Sequence, residues 1–75
     1  MKYYKLLTPV AGYKQGDGFD FEAKHLLMST LSFQEQRQVL WMETYKEYAV
    51  ANSYHYVVDG KITHSSTLPS GEALH

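Results

Sequence analysis

Asp59-Gly60 lies between two runs of β-forming residues, Tyr54 to Val58 and Lys61 to Ser65, and it constrains the fold more tightly than any other dipeptide in the chain. Both central residues of a two-residue hairpin loop must tolerate positive φ, and Asp-Gly does so at low cost. A loop that short fixes the register. Val58 faces Lys61, Val57 faces Ile62, Tyr56 faces Thr63 and His55 faces His64.

The segment before the hairpin carries a second strong signal. Ser32-Phe33-Gln34-Glu35 is a capping box, in which the serine and glutamate side chains each satisfy a free backbone N–H at a helix start. Beyond it, Phe33, Leu40, Trp41, Thr44, Tyr45, Tyr48 and Ala49 share one face at 100° per residue, with Gln36, Glu43, Lys46 and Glu47 opposite. This predicts one helix from the box to Asn52-Ser53. On it, Val39 and Val50 fall on the charged side, where they are exposed.

Upstream, Phe19 and Phe21 alternate as in a strand, but the Ala-Lys-His-Leu-Leu-Met composition favours a helix from Phe21 to Thr30 capped by Asp20. Tyr3 to Leu7 reads as a strand ended by Pro9, and residues 11–18, with three glycines and an aspartate, read as a loop. The predicted order is strand, helix, helix, hairpin. That is a small α+β domain over residues 1–65, with a mainly antiparallel sheet of about three strands and helices packed on one face. Residues 66–75, with Pro69 and Gly71 and no periodicity, read as a flexible C-terminal tail.

With 75 residues and no cysteine, neither a disulfide scaffold nor a thiolate metal site is available, and a reducing, cytoplasmic setting suits the chain. A domain of this size hides only about 60–65% of its unfolded surface, so added stability must come from packing or from a partner. Seven Lys/Arg against eight Asp/Glu provide no basic footprint for nucleic acid. The apolar run at the N-terminus stops at Thr8-Pro9, short of an export signal, and no stretch is long enough to span a membrane.

Each candidate site competes with a plainer explanation. His55 and His64 stand opposite each other and would bind a transition metal if a third ligand approached; a surface histidine pair is the plainer reading. Asp17, Asp20 and Glu22 lack the ligand register of a calcium loop, so Asp17 is assigned to a turn and Asp20 to the helix cap. Gly12 to Gly18 lacks the Gly-Lys-Ser/Thr of a phosphate loop. Tyr54 and Tyr56, with Tyr3 or Tyr4, would make a stacking platform for single-stranded bases, against which stands the missing positive charge.

Seven tyrosines are more than so small a core needs, and tyrosine is favoured at interfaces. The expectation is therefore a non-enzymatic protein-interaction module without cofactor: an adaptor, inhibitor, regulator or accessory subunit. It binds another protein or a second copy of itself as a homodimer, through a sheet edge and Tyr45, Tyr48, Tyr54, Tyr56, Val39 and Val50. A nucleic-acid-binding module is the first alternative, and a metal-binding domain around His55 and His64 the second.

Overall fold

A computed structural model of the chain describes residues 2–45 and 51–65. The predicted Tyr48 and Val50 contacts, the helical prediction over 46–50 and the tail from Ser66 onward lie outside the described residues. The elements are β1 (Lys2–Leu6), β2 (Gly18–Phe19), α1 (Phe21–Thr30), α2 (Phe33–Gln38), β3 (Trp41–Tyr45), β4 (Tyr54–Val58) and β5 (Lys61–Ser65). They make an α+β fold on one five-stranded mixed sheet of order β3-β1-β2-β4-β5. β1 is antiparallel to β2 and β3, β4 is antiparallel to β5, and β2 is parallel to β4. The sheet is thus larger than the expected three strands and is mixed.

The locally encoded elements form as their signals dictate. α1 spans the expected residues, and the Ala23 N–H donates to Asp20 Oδ1 at 2.8 Å. The Ser32 capping box closes in both directions, with Glu35 N–H donating to Ser32 Oγ at 3.2 Å and Ser32 N–H to Glu35 Oε1 at 3.0 Å. Asp59 and Gly60 both take positive φ, +52° and +76°, and the hairpin register runs as predicted from Val58↔Lys61 to Tyr54↔Ser65.

The long second helix does not form. α2 ends at Gln38, and residues 41–45 become a strand paired along its whole length with β1. Trp-Met-Glu-Thr-Tyr satisfies a strand alternation as well as a helical one, and tertiary context decides between them. β1 carries Tyr3, Tyr4 and Leu6, all buried, so it is an inner strand that needs a neighbour on both sides. β3 supplies the second neighbour. The same change moves Val39 from the predicted charged face into the core, where it follows the end of α2.

The pairing register sorts side chains onto two faces. Tyr4, Leu6, Phe19, Trp41, Glu43, Tyr45, His55, Val57, Ile62 and His64 share the face under α1. There Ala23, Leu27 and Leu31 pack with Leu6, Phe19 and Val39 in one apolar cluster. Each large side chain fully buried in it contributes about 1.5–3 kcal/mol. The other face carries Tyr3, Lys5, Gly18, Met42, Thr44, Tyr54 and Tyr56. Tyr3 is 1% exposed there, its ring 5.9 Å from that of Tyr54. Gly18 must be glycine, because a Cβ would sit 2.7 Å from Tyr3 Cε2 and 3.0 Å from Ala51 Cβ.

Candidate functional site

Two places concentrate the groups singled out in the sequence: the seam between β2 and β4, and the outer edge of β3. At the seam, His55 faces Phe19 across the parallel pair. Its ring stacks on Phe19 at 4.6 Å and meets Tyr13 edge-on at 4.9 Å. His55 Nε2 lies 3.1 Å from Asp17 Oδ2, and both residues are only 6% exposed. The Lys14 N–H donates to the same carboxylate oxygen at 3.2 Å, so one oxygen ties the loop to the strand. His64 stands across from His55 with ring centroids 6.0 Å apart, but it is exposed.

Among the described residues no group of three or more His, Cys, Asp or Glu stands close enough to hold a metal ion. Surface grooves lined by Gln34, Arg37 and Gln38, by Pro9, Glu35 and Val39, and by Phe21, His25 and Val57 include neither Asp17 nor His55. The pair acts as a buried joint. Asp17 is still the turn residue the sequence suggests, since Asp17 N–H donates to the Lys14 carbonyl. Its bond to His55 is a contact that sequence reasoning missed. β2 is two residues long, too short to show any alternation, so nothing signalled the parallel pairing that brings the two side chains together.

The tyrosines divide by face and depth. Tyr3, Tyr4 and Tyr54 are buried, Tyr13 and Tyr56 are half-buried, and Tyr45 is exposed. Tyr54 packs on Tyr3 and its hydroxyl accepts from Ala51 N–H at 3.2 Å. Burial, then the charge of Asp20 and the neighbouring Tyr54, push the Tyr3 phenol above its ordinary range. Among the described residues its hydroxyl has no hydrogen-bond partner.

At the β3 edge, Leu7 N–H donates to the Leu40 carbonyl at 2.9 Å. Alternation along an antiparallel ladder then turns the backbone groups of Met42 and Thr44 toward β1 and those of Trp41, Glu43 and Tyr45 outward. β1 obeys the complementary rule: Leu6 donates to Asp17 and accepts from Gly16 on its other side. Leu40, Met42 and Tyr45 are 59%, 46% and 58% exposed along this edge. Its one charge, Glu43, lies 3.5 Å from Lys2 Nζ of the neighbouring strand. Among the described residues no strand pairs with the outer side of β3.

No family model, curated protein or solved structure matches the chain. No helix among the described residues is long and apolar enough to cross a membrane.

Proposed function

We propose that this chain is a small protein-interaction module, an adaptor, inhibitor or accessory subunit, that docks by strand addition along β3. The observation that carries this reading is an edge strand with outward backbone groups flanked by exposed Leu40, Met42 and Tyr45. Edge strands are ordinarily blunted by lysine, proline or a bulge, because their unpaired N–H and C=O groups template further pairing. β3 carries no lysine, proline or bulge, and its single charge, Glu43, lies beside Lys2 of β1. Strand addition takes affinity from the main chain and selectivity from the alternating side chains, and needs no enclosed pocket. Tyr45 is the tyrosine best placed for this role; Tyr54 serves the interior.

The test separates edge pairing from folding. Proline at Glu43 removes an outward N–H and leaves the ladder to β1 intact, whereas lysine at Met42 adds a desolvation penalty at the same edge. Wild-type chain, Glu43→Pro and Met42→Lys are compared by light scattering across concentration and by capture of proteins from lysate. Association by the wild type that both variants lose supports the reading. A wild-type chain that stays monomeric at every concentration and captures nothing overturns it.

A further inference from the structure

We infer that the occupant of the β3 edge is a second copy of the chain, whose own β3 pairs antiparallel to the first with Met42 on the two-fold axis. The inference rests on the strand-addition reading and adds the partner and the register.

Self-pairing must match outward residues with outward residues, so the choices reduce to a few registers. Centring the axis on Glu43 sets two carboxylates directly opposite, an unfavourable cross-strand pair. Centring it on Thr44 would set exposed Met42 against Lys46, a charge opposite an apolar side chain. Centring it on Met42 sets Trp41 against Glu43 of the second copy, and those two residues exchange N–H and C=O groups. It also sets Met42 against Met42 and Leu40 against Thr44, so the exposed apolar side chains meet on one face. In this register each Glu43 stays beside its own Lys2 at 3.5 Å and faces Trp41 of the second copy, so no like charges oppose across the new ladder. A symmetric pair of this kind is isologous: it closes on itself and consumes the edge, which a head-to-tail contact would leave open. It also joins two five-stranded sheets into one with α1 of both copies on the same side.

The chain has no cysteine, so a single introduced thiol reports the register without background. In the inferred pairing Met42 occupies a non-hydrogen-bonded position, where opposed Cα atoms stand about 4.5 Å apart. That falls inside the roughly 4.4–6.8 Å that a disulfide accepts. Met42→Cys, Glu43→Cys, Thr44→Cys and, on β5, His64→Cys are oxidised under identical conditions and followed on denaturing gels. The expected result is a covalent dimer from Met42→Cys formed at least about tenfold faster than from the other three, as the effective concentration at the axis requires. A mixed-isotope sample of wild-type chain gives an independent readout: contacts between the Met42 methyl groups of two copies, and between Leu40 and Thr44. Faster crosslinking at Glu43→Cys or Thr44→Cys, or a wild-type chain without those contacts, overturns the inference. If the wild type is monomeric yet still captures another protein in a Met42→Lys-sensitive way, self-pairing fails and strand addition stands. If it neither dimerises nor captures, both fail.

Discussion

At β3 the outward backbone groups belong to Trp41, Glu43 and Tyr45, and the exposed side chains along it are Leu40, Met42, Glu43 and Tyr45, three of them apolar or aromatic. At β5 the type of turn fixes the pattern. With positive φ at both loop residues, Val58 and Lys61 exchange bonds, so Lys61, Thr63 and Ser65 turn toward β4 and Ile62 and His64 turn outward. Lysine, threonine, histidine and serine make that margin polar, and Ile62 packs against the core. Both strands are five residues long, and among the described residues both end the sheet. The contrast shows that an edge is defined by what lines it. One of these margins is lined mainly by polar side chains, the other mainly by exposed apolar ones.

The most damaging way to break the comparison is to attack β3 from its inner side. Met42→Pro removes an N–H that β1 needs, and the expected loss is about 3 kcal/mol or more, read as a collapse of the melting transition. Glu43→Pro, one residue away, should keep most of the stability; equal losses would disprove the inward–outward assignment. Next in size is Asp17→Ala, which strands His55 in the interior and should cost about 2–4 kcal/mol. Amide exchange should then accelerate in β4 and β5 more than in β1 and β3, because the seam lies between those halves.

A smaller effect of opposite sign is expected from Tyr3→Phe. The Tyr3 hydroxyl is buried without a partner among the described residues, so its removal should stabilise the protein by about 1 kcal/mol, measured by denaturant titration. The pH dependence follows from the raised phenol. Folded Tyr3 keeps its proton above the ordinary value of 10.0, while unfolded Tyr3 loses it there. Its contribution is therefore full below pH 10.0 and declines as pH rises toward the folded value, and Tyr3→Phe should soften that alkaline loss. Smallest of all, Thr63→Lys on β5 should change stability by no more than about 0.5 kcal/mol and leave association untouched, whereas Met42→Lys should abolish it.

What the sequence disclosed follows the range of the forces involved. Asp20, Ser32 with Glu35, and Asp59-Gly60 act within a few residues of themselves, and each built the cap or turn it announced. Trp41 to Tyr45 was ambiguous because five residues satisfy both periodicities, and only β1, far away in the chain, resolves it. Asp17 and His55 gave no hint of each other, since their contact depends on a two-residue strand. A sheet edge and Tyr45 were expected separately, Tyr45 on a helix face, and the two coincide only on β3. The edge's placement on β3, and the inward position of Val39, required the strand that the helical pattern concealed.

The β4–β5 hairpin has a consequence for how the polypeptide reaches its final form. Every other strand contact joins partners separated by a long excursion, Tyr4 with Phe19, Lys2 with Tyr45 and Phe19 with His55, whereas Val58 and Lys61 need only the tight turn between them. Ring-closure entropy penalises the distant pairs and spares the near one, so the ribbon at Asp59-Gly60 is the cheapest strand pairing to close, on a microsecond scale. Two strands alone are only marginally stable in water, so its persistence depends on Phe19 and Asp17 closing onto His55.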